Sequence, residues 1–177
     1  MFKTIQFKDV FPEHFGFFLM SPKKLSTFHD FGIEGKNLLE IYSNSDLGDK
    51  VTEEGIIIPI LEVEADYYDI IIHDKAEASY IEDTKRAFSS QGWIFFSTGE
   101  LIFSSISLLL KWDSDHPKLC NANLPKGWYE VSIYGGLVKE TPTFEFVFTK
   151  SDKKPQYNGN LNELNLRGVG VYKVKEL

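Results

Sequence analysis

The chain has 177 residues, 42% hydrophobic and 15% aromatic, with a formal net charge of −7. That is enough material for one sizeable core, and the aromatic load argues against disorder. The single Cys120 excludes an internal disulfide framework and fits a reducing compartment. The longest apolar run, residues 56–61, is interrupted by Pro59 and falls well short of a membrane span, and Met1–Asp9 lacks an apolar stretch of signal-peptide length. A cytoplasmic protein with no membrane partner is expected.

The charge is unevenly spread. Between Glu40 and Asp83 there are thirteen acidic residues against two basic ones, a net −11, while the rest of the chain carries +4. Only Arg86 and Arg167 of the nineteen bases are arginine, so forked recognition of phosphate has little to work with and nucleic acid is not an expected partner. An acidic segment of this size serves solubility, or it presents a surface to a basic partner.

In chain order, Ile5 and Phe7 alternate in a first short strand. Phe15–Met20 is a nearly continuous apolar run between Pro12 and Pro22, the pattern of a strand covered on both faces. Ser21-Pro22-Lys23-Lys24 predicts one helical turn with Leu25 and Phe28 facing inward. Leu38–Tyr42 reads as a strand and Ser43–Asp49 as a loop. The stretch 55–74 reads as a hairpin whose first strand ends in an acidic row of Glu62, Glu64 and Asp66, with Pro59 marking an edge or bulge. Residues 76–88 read as a loop leading into a short strand.

Further strands are expected at Trp93–Ser97, Glu100–Ser104 and Ile106–Trp112, followed by a polar loop over 113–123. The clearest local signal is Leu124–Gly136. Pro125 and Gly127 form a turn, Tyr129, Val131 and Ile133 alternate with polar neighbours, and Gly135-Gly136 reads as a breaker pair. Trp128 and Tyr129 are both expected in the core. Phe144, Phe146 and Phe148 alternate with Glu145, Val147 and Thr149 in a half-buried strand. A polar excursion covers 151–165, and Gly168–Val174 reads as a last strand. Ten or so short strands at this spacing predict an all-β fold over residues 1–177. The expectation is an antiparallel β-sandwich of jelly-roll or Ig-like type, one domain, with at most one short helix.

Signals for chemistry are sparse. The sequence has no nucleophile elbow, Walker loop, zincin motif or dinucleotide fingerprint. Asp113-Ser114-Asp115-His116 brings hard oxygens and an imidazole together, but its spacing matches no calcium loop and Pro117 marks a surface turn. His73-Asp74 ends a strand as a polar pair. Cys120 has no base beside it and reads as a small core residue. Trp93 and Tyr134 are candidates for an aromatic ligand platform, with core packing the stronger alternative. No catalytic residue, metal ligand or cofactor is therefore expected, and the chain reads as a non-enzyme.

The residues Gly99-Glu100-Leu101-Ile102-Phe103, followed by Asn123-Leu124-Pro125-Lys126-Gly127-Trp128-Tyr129, resemble the corresponding part of the competence protein J family. The resemblance covers the middle and later half of the chain and leaves the tail after Lys150 outside it. It implies a β-rich inhibitor or immunity-type protein of the bacterial cytoplasm, and it carries over no interface residue. Together with the charge asymmetry, this gives the expected function: a binding protein that neutralises a basic toxin or nuclease. The candidate partner-binding residues are Glu53, Glu54, Glu62, Glu64, Asp66 and Asp69. The alternative is a small-ligand or carbohydrate-binding module, and monomer and homodimer both stay open.

Overall fold

The run Phe17–Met20 is buried on both faces, and the layer it occupies explains why. A computed structural model describes residues 1–167; the strand expected at Gly168–Val174 lies outside the described residues. Among the described residues nine strands form two sheets. The larger contains β1 (Ile5–Val10), β4 (Tyr68–Asp74), β9 (Thr141–Ser151), β8 (Gly127–Val138) and β5 (Arg86–Ser97), in the order β1-β4-β9-β8-β5. The smaller contains β2 (Gly16–Met20), β3 (Ile57–Leu61), β6 (Glu100–Ser105) and β7 (Cys120–Asn123), in the order β3-β2-β6-β7.

The two sheets face each other across a core that includes Phe17, Leu19, Ile60, Phe103, Trp93, Phe95, Phe144, Phe146 and Phe148. The other face of the smaller sheet is also covered. Three short helices, α1 (Pro22–Phe28), α2 (Leu38–Ser43) and α3 (Leu47–Glu53), pack there with Trp112 and Leu109 over Phe18, Met20, Ile57 and Ile102. A strand between two apolar layers has no solvent side to keep polar, so β2 reads as unbroken hydrophobicity.

The expected all-β, purely antiparallel sandwich is therefore corrected on two counts. Three helices form a third layer, and β4 and β9 pair in parallel from Asp69↔Thr143 to Asp74↔Phe148. The helix at Pro22 is as read, with Pro22 in its first turn and Leu25 buried. Leu38–Tyr42 is helix, not strand. Asn37 accepts the Glu40 N–H through its side chain, an N-cap that a strand reading of Leu-Leu-Glu-Ile-Tyr ignores. The loop expected at Ser43–Asp49 contains the start of α3, and Ile106–Leu109 is a 3-10 turn where a strand was read.

The hairpin read over 55–74 is absent. β3 pairs with β2 and β4 pairs with β1 and β9, so residues 62–67 cross from one sheet to the other. Residues 76–88 hold the expected loop with a 3-10 turn, but the strand that begins at Arg86 is not a short separate one: it runs on to Ser97 as β5.

Gly135-Gly136 does not close its strand, because β8 continues in register with β9 to Val138↔Thr141. Within Leu124–Gly136, Tyr129 is buried and its hydroxyl donates to the Pro125 carbonyl at 2.7 Å. Trp128 is only half-buried. Its ring lies 4.9 Å from that of Phe96, with Lys24 Nζ 4.2 Å above it. Trp128→Ala is accordingly expected to cost about 2 kcal/mol, below the 3–5 kcal/mol of a fully enclosed aromatic. A urea denaturation series on the two proteins checks the difference.

Candidate partner-binding end

Strand directions bring several turns to one end of the two sheets. β3 finishes there at Leu61, opposite Gly16 at the start of β2. β4 starts there, with Tyr68 opposite Val10 of β1, and the β8–β9 hairpin turns there between Val138 and Thr141. The segments Asp9–Phe15 and Glu62–Tyr67 are joined by the Val63 N–H donating to the Phe15 carbonyl at 2.9 Å.

Three aromatic side chains at this end face water: Phe15 is 62% exposed, Tyr67 60% and Phe11 39%. The rings of Phe11 and Tyr67 touch, with centroids 5.3 Å apart. Beneath them the ordinary rule is obeyed: Val63 and Tyr68 are buried, and the Tyr68 hydroxyl donates to the Glu64 carbonyl. Large exposed apolar groups grouped on one loop end are unusual for a surface that meets only water.

Backbone strain collects in the same place. Among the described residues, the non-glycine residues with left-handed φ are Asp9, His14, Phe15, Glu62, Lys139 and Glu140; Asp9 sits at the irregularity near the end of β1 and the others in the turns of this end. Turns at the opposite end use Gly55, Gly99 and Gly127 for such geometry. A non-glycine residue held left-handed costs on the order of 1 kcal/mol, which surrounding contacts must offset. Glu13 supplies part of that support. It accepts from Lys118 Nζ at 2.8 Å and from the Ser107 hydroxyl at 3.0 Å, and these bonds hold its carboxyl below the usual range.

Of the acidic residues singled out by the sequence, Glu62, Glu64 and Asp66 lie in the crossover loop and Asp69 stands on β4 just after it. Asp69 Oδ1 accepts the Asp9 N–H at 3.2 Å, and Asp66 Oδ1 accepts the Tyr67 N–H at 2.7 Å. Among the described residues Glu62, Asp66 and Asp69 form no ion pair. Glu53 and Glu54 are elsewhere, at the end of α3 before β3 begins, about 20 Å away by the rise of the strand. Glu54 is engaged by Lys154 Nζ at 3.0 Å. The six carboxylates are thus two groups on opposite ends.

A second polar cluster lies inside the protein. Glu145, expected on the solvent face of β9, is fully buried, as is its neighbour on β4, His73. Glu145 Oε1 accepts from His73 Nε2 at 2.5 Å and from the Tyr80 N–H at 2.8 Å; its Oε2 accepts from the Ser79 hydroxyl at 2.8 Å and the Ile81 N–H at 3.3 Å. His73 Nδ1 donates to the Asp74 carbonyl at 2.9 Å. With acceptors at both nitrogens the ring is a double donor, an imidazolium paired with a carboxylate. Burial pushes the His73 pKa down, but the bonds to Glu145 and Asp74 outweigh it and leave it raised; burial pushes Glu145 up, and its four donors bring it below the usual range. The pair pins the 79–81 segment onto the outer face of the larger sheet. The parallel β4–β9 register that joins the two residues is not visible in their spacing of 72 positions.

The remaining candidates resolve locally. Asp113–His116 is a surface turn in which Asp113 accepts the Asp115 N–H and His116 Nδ1 accepts the Lys118 N–H. Among the described residues no three His, Cys, Asp or Glu side chains converge as metal ligands. Trp93 is enclosed in the core, and the Tyr134 ring is covered by the Arg86 guanidinium 3.8 Å from its centre, so neither forms an open platform. Cys120 is half-buried on β7. No helix of the described residues is long and apolar enough to cross a membrane.

No protein-family model matches the chain, and no curated protein sequence matches it. Among solved structures it resembles ComJ. That protein, from Bacillus subtilis, is described as the inhibitor of the DNA-degrading activity of NucA; the match has 13% identity and a TM-score of 0.47, covering 85% of this chain and 96% of ComJ. The product of crocagin biosynthetic gene J matches with 10% identity and a TM-score of 0.44, over 81% of this chain and 94% of the other.

Proposed function

We propose that the protein is a non-enzymatic inhibitor that docks the end built from Asp9–Phe15 and Glu62–Asp69 onto a basic protein partner. The observation that supports this is the exposed group Phe11, Phe15 and Tyr67, rimmed by acidic side chains of which Glu62, Asp66 and Asp69 form no ion pair among the described residues. Binding energy in protein interfaces concentrates in a few aromatic anchors, while surrounding charge sets association rate and partner choice. Glu62, Glu64, Asp66 and Asp69 are the steering residues of this surface. Glu53 and Glu54, on the opposite end, lie outside it. A toxin or nuclease is the partner class in view, acting in the cytoplasm with the inhibitor as monomer or homodimer.

The test uses the purified product of the reading frame adjoining this protein's gene. Stoichiometric addition is expected to abolish that product's activity. Reversing Glu62 and Glu64 to Lys should slow association by about tenfold at low salt and flatten its salt dependence. Phe15→Ala with Tyr67→Ala should act on dissociation instead, by about 30-fold or more. Binding kinetics that none of the four substitutions changes would remove this end from the interface.

A further inference from the structure

The aromatic pair and the acidic rim are not simply adjacent; the β1–β4 pairing builds them into one unit. Val10 lies opposite Tyr68, which opens β4 with its ring buried, so Asp69, the next residue of the strand, belongs to its outward side, and Tyr67, just before the strand, faces water. On the facing chain, Phe11 meets Tyr67 ring to ring at 5.3 Å, and the Asp9 backbone holds Asp69 Oδ1 at 3.2 Å. Asp69 Oδ2 has no hydrogen-bond partner among the described residues, and neither Asp9, Asp66 nor Asp69 is ion-paired there. Two touching, water-exposed rings beside carboxylates that form no ion pair attract a cation on both counts. The ring faces carry negative quadrupole potential, and the carboxylates carry full charge.

The same protein shows what becomes of such rings when a base is within reach. Trp128 and Phe96 are covered by Lys24, with its Nζ 4.2 and 4.8 Å from their centroids, and Tyr134 is covered by Arg86. The Phe11–Tyr67 pair has no such cation among the described residues.

We infer that Phe11, Tyr67 and Asp69 form a site for an arginine side chain of the protein partner, its guanidinium laid against the rings and its N–H groups donating to Asp69. A planar guanidinium is the fitting cation because it stacks and donates in a fork at the same time, which an ammonium does not. The inference rests on the docking end proposed above and names what that end reads.

The test needs no partner. Acetyl-tetra-arginine amide, titrated into the 15N-labelled full chain and followed by two-dimensional NMR, is expected to shift the amides of 9–11 and 66–69 most. The isosteric tetra-citrulline peptide, which lacks the charge, should leave them unmoved, and tetra-lysine should bind at least threefold more weakly than tetra-arginine. Phe11→Ala with Tyr67→Ala should weaken tetra-arginine at least fivefold, as should Asp69→Asn, while Glu53→Gln at the far end should not. All these positions are at the surface, and a conserved amide spectrum verifies the fold of each variant. Shifts spread evenly over Glu53, Glu54 and the crossover loop, or tetra-arginine binding unchanged by loss of the two rings, would overturn the site. Should the partner bind with Phe15-dependent affinity while the arginine peptide does not, the site falls and the docking end stands.

Discussion

Replacing Glu145 with alanine is expected to cost about 3–5 kcal/mol of stability, the loss seen when one member of a buried ion pair is removed. The cause is what stays behind. The His73 imidazolium and the Ile81 N–H lose their acceptor in a buried place, and the Tyr80 N–H and the Ser79 hydroxyl lose theirs at its partly covered edge. For a chain of this size the melting temperature should fall by about 10 °C. Replacing both partners, His73→Leu with Glu145→Leu, removes the charges together and should cost less than the single change, although the backbone donors of Tyr80 and Ile81 still go unmet. A double variant no more stable than Glu145→Ala would show that the two residues are not coupled.

The same pair gives the protein a pH signature. The His73 pKa is raised above its ordinary 6.5, so its contribution is complete below that value and is lost as pH rises through the folded pKa. Glu145 is lowered from 4.5, so its contribution is complete above that value and is lost as pH falls through the folded pKa. Both are whole between pH 4.5 and 6.5. The stability difference between the natural chain and the double leucine variant, measured by urea unfolding across pH, should peak in that window and shrink on either side. A flat difference would mean that the pair is neutral in the folded state.

The second large effect is expected at Gly136. A Cβ there would run into the Lys85 carbonyl oxygen and come within 2.9 Å of Ile81 Cγ2. The carbonyl belongs to backbone that carries its own hydrogen bond, the Lys85 N–H to the Glu82 carbonyl at 2.8 Å, so it cannot swing aside cheaply. Gly136→Ala should cost about 3 kcal/mol through overpacking. Gly135→Ala meets the Phe88 ring, a half-buried side chain that can rotate, and should cost less. Thermal melts of the two variants give the comparison, and equal losses would count against backbone contact as the cause. Gly136 occurs in mid-strand because the 81–85 segment presses against the sheet, and Gly135 because the ring of its cross-strand partner Phe88 lies over it, both recognised uses of glycine in strands.

The particular residues show where reading the chain succeeds. Alternation over 129–133 and 144–148 placed β8 and β9 because a strand with one face in a core must repeat every second residue. The burial of Phe17–Met20 on both faces followed from an unbroken apolar run. The helix at Pro22 was legible because proline is favoured in a first turn and the inner pair sits three apart. Leu38–Tyr42 failed for a related reason: a short apolar segment has the same composition as strand or helix, and the choice was made by the Asn37 cap and by the small sheet that needed a cover.

The site divides along the same line. The acidic crossover residues Glu62, Glu64 and Asp66 of the proposed site could be singled out because charge density is a property of the linear chain. Their separation from Glu53 and Glu54, and their meeting with Phe11, Phe15 and Tyr67, could not. A strand of five residues puts neighbours in sequence at opposite ends of the fold, while strand pairing brings together residues some 60 positions apart. For Glu145 the alternating pattern pointed to solvent, but β4, lying parallel beside it, supplied His73, and the 79–81 segment supplied the other donors. Local periodicity therefore determined the long strands β8 and β9 and which side of each faces the main core. Only the tertiary structure decided what covers the other side, because burial of a second face depends on elements distant in the chain, and no local pattern records them.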